Sequence, residues 1–368
     1  APTEILAVQH YEEFGRLFRD MPVRIALLTG RTSVKERGIL LDELKNGAIQ
    51  ILIGTHALIQ DDVVFQELGL VITDEQHRFG VKQRAALQHK GKAPHTLFMT
   101  ATPIPRTLAL SVYGDLDVSS IRDMPPGRKI VKTYAVGEAM RQRIYVFMEK
   151  LMKAGQQCYV VCPLVEESET VDLQAATALY DKLRLSVFKK RRCGLVHGKM
   201  AGKEKEKVME AFQNGEIDLL VATSVIEVGV NVPNATLMLI DGAERFGLAQ
   251  LHQLRGRVGR GSQQAYCILL AKGGSEETRQ RLQWMEQIHD GFVLSEKDLL
   301  LRGAGRLFGC AQHGLPDLKA ADIVQDIDLL VAARDRAAQY LNTMVDETQI
   351  ANVLQQRFGE NFQGLWNN

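Results

Sequence analysis

The sequence has little cysteine and no excess charge of either sign. Five cysteines in 368 residues do not make the disulfide scaffold of a small secreted domain. Cys158 and Cys162 lie four apart in an apolar stretch, which is not CxxC spacing, and read as small buried core thiols. The 45 basic and 44 acidic residues leave a net charge of +1. That excludes a protein that coats nucleic acid by bulk charge, though not a local basic groove. No apolar run reaches the ~18 residues needed to cross a bilayer, and no signal-peptide pattern opens the chain. A reducing, cytoplasmic compartment is expected. The chain also lacks an initiator Met: it opens at Ala1-Pro2-Thr3-Glu4 as if cut into an element, so a partial form is expected.

Apolar residues make up 45% and charged residues 24%, which suffices for a core in each of the two or three domains that ~150 residues per domain allows. Short apolar, β-branched runs occur at 24–28, 49–53, 70–73, 96–99, 157–161, 194–196, 218–221, 237–240 and 265–270. Amphipathic stretches alternate with them, at 35–45, 138–154, 173–188 and 203–212. This alternation predicts parallel sheets covered by helices, and the unbroken runs suit strands buried on both faces. Met124-Pro125-Pro126-Gly127 marks an internal boundary. A second α/β unit ends near Lys272-Gly273-Gly274, with helical patterns at 276–288 and 320–341 beyond it and a polar tail after 348.

The motifs sit where the apolar runs end. Leu70-Val71-Ile72-Thr73-Asp74-Glu75-Gln76-His77 is a strand closing on two carboxylates. The carboxyl ends of parallel strands face the ligand crevice. Asp74 there can hold Mg²⁺ through water, and Glu75 can polarise a water that attacks a γ-phosphate. A solvated turn or helix cap is the plainer reading. Thr100-Ala101-Thr102-Pro103 follows the next strand; its hydroxyls can relay hydrogen bonds between two sites, or simply cap a helix. The loop after another run carries Thr223, Ser224, Glu227, Gly229 and Asn231, whose amides and hydroxyls can grip the phosphates of a DNA strand. Routine capping of a strand-to-helix loop is the alternative. Gln253-Leu254-Arg255-Gly256-Arg257-Val258-Gly259-Arg260 is the sharpest signal. On a helix Gln253, Arg257 and Arg260 fall at i, i+4 and i+7, so two guanidiniums reach one phosphate group. A solvated basic face competes with this reading, but the two glycines weaken it. The cluster Lys189-Lys190-Arg191-Arg192 reads as a solvated helix end.

Taken together and in this order, these motifs resemble those of superfamily-2 helicases and translocases: 74–77 the second motif, 100–102 the third, 222–231 the fifth and 253–260 the sixth. Finer likeness is to the RecG branch-migration helicases. It is carried by Ala1-Pro2-Thr3-Glu4-Ile5-Leu6-Ala7, by Asp74-Glu75-Gln76-His77-Arg78-Phe79-Gly80-Val81 and by residues 100–107. Cys162-Pro163-Leu164-Val165-Glu166-Glu167-Ser168-Glu169 also resembles RecG and argues against the related transcription-repair coupling translocase. Residues 289–314 resemble the helical hairpin and loop by which both families couple ATP turnover to movement on DNA.

The resemblance implies an α/β fold: tandem RecA-like parallel-sheet domains, the first incomplete (1–123), the second at 128–274, followed by a helical C-terminal segment (275–368). It implies ATP with Mg²⁺ (Asp74 through water) between Asp74 and Glu75 on one side and Gln253, Arg257 and Arg260 on the other, with His77, Gly229 and Asn231 toward the nucleotide. DNA would touch Pro2, Thr3, Glu4, Gly54, Thr55, His56, Thr223, Ser224 and Glu227, and the loop at His197-Gly198-Lys199-Met200 lies where such contacts occur. Thr100, Ala101, Thr102, Arg302 and Gln312 would couple the two sites. Implied partners are branched double-stranded DNA and a single-strand DNA-binding protein, for a monomeric bacterial motor that uses no membrane. The activity implied is ATP-dependent remodelling of stalled forks and four-way junctions in recombination and repair.

Four departures stand out. No GxxxxGK[ST] phosphate loop occurs in these residues, and the amino-terminal wedge domain that the resemblance implies is not expected among them. Asn231 replaces the usual Asp, though an amide can still bind a ribose hydroxyl. The coupling loop has Ala304, Arg306, Cys310 and Ala311 where the family favours Pro, an acid and Thr-Arg; Arg302 and Gln312 match. The missing phosphate loop leaves a second expectation open, a non-catalytic fragment with residual DNA binding.

Overall fold

The computed structural model describes residues 1–75, 86–87, 90–101, 117–125, 127–163, 169–223, 232–302 and 326–341. His77, Thr102, Ser224, Glu227, Gly229, Asn231 and Gln312, singled out above, lie outside the described residues. The chain divides into two compact units. One comprises Ala1–Thr102, Pro126–Phe246 and Gln253–Glu286; the other comprises Pro103–Pro125, Gly247–His252 and Gln287–Asn368.

The first unit opens with helix α1 (Glu4–Leu17), then strand β1 (Ile25–Leu28), helix α2 (Val34–Lys45), β2 (Ile51–Gly54), β3 (Leu70–Thr73) and β4 (His95–Phe98). α2 starts on a capping box: the Ser33 hydroxyl accepts the Glu36 N–H while the Glu36 carboxylate accepts the Ser33 N–H. β1 pairs with β2 in parallel, Leu28 opposite Gly54, and β3 with β4, Thr73 opposite Phe98. The loops at 29–32 and 55–56 therefore leave one sheet end together, as do those at 74–75 and 99–101.

The second region builds a six-stranded, all-parallel sheet in the order β5-β10-β9-β6-β8-β7. Its strands are β5 (Lys132–Gly137), β6 (Gln157–Val161), β7 (Cys193–Val196), β8 (Leu219–Ala222), β9 (Ala235–Asp241) and β10 (Tyr266–Ala271). Between them run α3 (Arg141–Lys153), α4 (Glu169–Lys182, continued by a π turn at Leu183–Val187), α5 (Gly202–Gln213) and α6 (Leu248–Arg255); α7 (Glu276–Gln287) follows β10. α3 buries Ile144, Tyr145, Met148, Leu151 and Met152, a stripe at helical spacing. It stops at Gly155, whose φ of +79° costs glycine little. On one face of the sheet that stripe packs with Cys158, Val160, Val221, Leu237, Leu239, Ile268 and Leu270. Strand alternation sends Tyr159 to the opposite face, where its ring meets Phe212 of α5 with centroids 4.8 Å apart.

In the other unit, α8 (Gly291–Arg302) begins where the Phe292 N–H donates to Asp290 Oδ1 at 2.7 Å, and α9 (Ile327–Leu341) follows. The Arg122 guanidinium lies 5.1 Å from the centroid of the Phe292 ring, a cation–π contact.

The structure corrects three expectations. The run at 70–73 is not buried on both faces: Leu70 and Ile72 are 54% and 48% exposed, because β3 has a single strand neighbour among the described residues. β5 was not expected as a strand; it is an edge strand of mixed polarity, so no apolar run marks it. Nor is 253–260 a helix. α6 ends at Arg255 and the chain turns through 256–260, so no single helix face carries Gln253, Arg257 and Arg260. Cys158, Cys162 and Cys267 are buried free thiols, as the composition suggested. Burial pushes Cys162 and Cys267 each up to about 12, which leaves them unreactive. Among the described residues no helix is long and apolar enough to cross a membrane.

Candidate nucleotide and nucleic-acid sites

Asp74 and Glu75 stand at the carboxyl end of β3, as predicted. His10, on α1, places Nε2 3.3 Å from Asp74 Oδ2. That hydrogen bond holds the Asp74 carboxyl below the usual carboxylate range, so it stays an anion able to take a hydrated cation. Glu75 sits at φ +51°, in the left-handed region that costs a side chain energy. Its Oε2 accepts the Ala101 N–H at 3.2 Å, which ties the carboxylate to the loop after β4 where Thr100 and Ala101 were singled out. Among the described residues no cluster of three or more His, Cys, Asp or Glu forms a metal cage. The donor set suits a cation that shares its ligands between one carboxylate, water and phosphate.

The first segments expected to touch DNA come together. The Ala1 nitrogen donates to the Gly54 carbonyl at 2.8 Å, setting Pro2, Thr3 and Glu4 beside Gly54, Thr55 and His56. Position 54 has no room for a side chain, since a Cβ there would lie 2.2 Å from the Leu28 oxygen. The Thr3 hydroxyl is buried with no hydrogen-bond partner among the described residues. Glu4 is already engaged: its carboxylate accepts the Thr29 hydroxyl at 2.6 Å and lies 3.4 Å from Arg31 Nε. The turn at 29–32 thus belongs to this corner, and sequence reasoning missed it. The signal was there, a Thr-Gly-Arg-Thr run directly after an apolar strand.

In the six-stranded sheet Thr223 follows β8, and its N–H donates to Val196 at the end of β7. Among the described residues, the Thr223 hydroxyl and His197 Nδ1 are both buried without a hydrogen-bond partner. Burial, then Lys205, lowers the His197 pKa and favours the neutral ring. Two adjacent strand ends thus carry polar atoms that no described residue satisfies.

The arginine turn is built differently from the helix face expected. The N–H groups of Arg257 and Val258 donate to Leu254 and Arg255, three residues back, and Gly259 at φ +75° ends the turn. Arg255 is buried and gives Nη1 to the Met285 carbonyl at 2.8 Å, near the end of α7. Arg257 is buried too; Arg260 is exposed, with Nε 3.3 Å from the Gly256 oxygen. Desolvation by the surrounding chain, with the positive charges of Arg257 and Arg128, pushes Arg260 down to about 10. Even so it keeps its charge at neutral pH, and three guanidiniums crowd one turn. Such a cluster gains most from an anion.

The chain resembles known proteins along most of its length. The DEAD/DEAH box helicase family matches residues 1–110 and the helicase conserved C-terminal domain matches 140–262. The family described as ATP-dependent DNA helicase RecG, domain 3, C-terminal, matches 288–360. The chain is 54% identical over 346 residues to the ATP-dependent DNA helicase RecG of Staphylococcus aureus (strain Mu50), covering 94% of this chain and 50% of the relative. It is 54% identical over 337 residues to the protein of that name from Bacillus subtilis (strain 168), covering 92% and 49%. The chain thus spans about half the length of the curated relatives it matches. A solved structure of RecG bound to a three-way DNA junction superposes with a TM-score of 0.73 at 47% identity, covering 89% of this chain and 42% of that one. Yeast Dbp5 bound to RNA and ADP BeF3 shares the fold alone, with a TM-score of 0.58 at 15% identity. The class is that of helicases built on RecA-like parallel-sheet domains, here with added helices. Within it, this chain belongs to the RecG family of ATP-dependent DNA helicases.

Proposed function

We propose that this chain is the motor portion of an ATP-dependent DNA translocase that remodels branched DNA, such as stalled forks and four-way junctions, in recombination and repair. Its working parts are 1–123 and 128–274, two RecA-like domains, with 275–368 as the coupling segment. The observation that carries the reading is the pair Asp74 and Glu75 at a strand end, one ionised beside His10 and the other tied to Ala101. The family's use of ATP and the junction-bound relative support it.

Bound MgATP supplies the phosphoryl group and the driving force. Asp74 would hold the cation through water, and Glu75 would orient the attacking water. Arg257 and Arg260, with Gln253, would neutralise charge on the departing γ-phosphoryl. His77, Gly229 and Asn231 would face the nucleotide. Thr3, Gly54, Thr55, His56, Thr223, Ser224 and Glu227 would line the path of the DNA backbone. Glu4 would hold the turn at Thr29 and Arg31 in place rather than face phosphate itself. Thr100, Ala101, Thr102, Arg302 and Gln312 would link hydrolysis to movement. Phosphate contacts of this kind give salt-sensitive, largely sequence-independent binding.

The test is DNA-stimulated ATP hydrolysis by the protein at its natural length. Glu75→Gln and Arg260→Ala are each expected to lower kcat about 100-fold or more. Unchanged turnover in both variants refutes the assignment.

A further inference from the structure

The two arginines of the 256–260 turn stand on backbone that no longer has helical support. The last helical carbonyls are spent at Leu254 and Arg255, and Gly259 reverses the chain. What fixes the turn comes from far away in sequence. Arg128 gives Nε to the Gly259 carbonyl at 3.2 Å and Nη2 to the Gly256 carbonyl at 3.4 Å. One planar fork thus grips both glycines that flank Arg257, a geometry that lysine does not reproduce. The Gly256 carbonyl also accepts Arg260 Nε, so Arg128 and Arg260 share one acceptor. The contact continues along the chain. The Lys132 N–H donates to Ala265 at 3.0 Å and Gln264 Nε2 to Ile130 at 2.8 Å. A Cβ on Gly259 would lie 3.0 Å from Val131 Cγ2 and 3.2 Å from Ala265 Cβ. The stretch 128–132 is therefore packed against the turn step by step.

We infer that Arg128 is a positioning residue for the arginine pair: by clamping the carbonyls of Gly256 and Gly259 it sets where Arg257 and Arg260 stand. The inference rests on the proposed role of that pair at the γ-phosphate. Arg128 itself acts through the backbone. It also adds a third positive charge beside the pair, which the turn tolerates because the carbonyl dipoles face it. Since 128 follows directly on the Pro-Gly boundary at 124–127, displacement of that segment is passed to the arginines without an intervening side chain.

The experiment is a double-mutant cycle read by DNA-stimulated ATP hydrolysis in the protein at its natural length. Arg128→Ala is expected to lower kcat about tenfold with KM for ATP changed less than about twofold, as for a misplaced transition-state ligand. In the Arg260→Ala background the same change is expected to cost less than about twofold. Arg128→Lys is expected to recover only part of the loss. An unchanged kcat, or an undiminished tenfold loss in the Arg260→Ala background, overturns the inference. A second readout does not depend on activity. Hydrogen exchange of the amides at 256–260 in this 368-residue chain should quicken at least about tenfold in Arg128→Ala, or in Arg128→Lys if the alanine variant does not fold, while β9 stays protected. If exchange is unchanged the clamp is refuted. If exchange quickens but Arg260→Ala leaves turnover intact, the clamp stands and the γ-phosphate reading falls.

Discussion

The six-stranded sheet and the two small strand pairs are written in the same residue types, yet they end in different environments. Leu219–Ala222 and Gln157–Val161 are buried at every position, each flanked by two strands and covered on both faces. Leu70–Thr73, an equally apolar run, alternates exposed and buried. A run of β-branched and aliphatic residues therefore states that a strand forms, while the number of neighbouring strands decides how much of it leaves water. Stability should follow the second quantity.

Four measurements would break or sharpen that contrast. The largest effect is expected from Leu239→Ala, which opens a cavity between β9 and α3 and should cost about 2–5 kcal/mol. Ile72→Ala should cost under about 1 kcal/mol. Equal shifts in the urea midpoint would erase the contrast. Next comes Gln157→Leu. Gln157 is buried and gives Nε2 to the carbonyls of Phe212 and Ile217 at 2.6 and 2.7 Å. Leaving both acceptors short should cost about 1–3 kcal/mol in the same assay. Ser33→Ala removes the capping box of α2 in the strand-pair region and should cost about 1 kcal/mol, read by loss of helical circular dichroism on warming. The smallest effect is one of pH. The His197 pKa is lowered in the folded chain, so protonation favours the unfolded state. Stability should then fall as pH drops below the unfolded value of about 6.5, down to the folded pKa. His197→Gln should flatten the difference in urea midpoint between pH 7.5 and 5.5, whereas an equal slope in both proteins would exclude this residue.

The alternation of runs and amphipathic stretches made the α/β architecture legible, and the strands at 70–73 and 157–161 fall where periodicity put them. β5 escaped because edge strands need no apolar run; its register comes from β10, which is distant in sequence. The candidate site was legible only as a set of strand ends. Asp74, Glu75 and Thr223 sit at such ends because parallel order places every loop of one sheet on the same rim. The geometry joining them was not legible. That His10 reaches Asp74 and Glu4 reaches Thr29 depends on how α1 lies against β1 and β2, and such long-range packing leaves no local signature. The arginine turn misled for a related reason. Helical spacing fits 253–260 on paper, but two glycines let the chain leave the helix where a distant guanidinium offers its carbonyls better partners.

The backbone of Glu75 carries a consequence of its own. A residue held at φ +51° has traded folding free energy for the placement of one carboxylate. Glycine there would relieve a strain of about 1 kcal/mol, while removing the acceptor of the Ala101 N–H and the carboxylate proposed above to orient the attacking water. Under the proposed role, backbone ease and placement of the carboxylate therefore pull in opposite directions at this position.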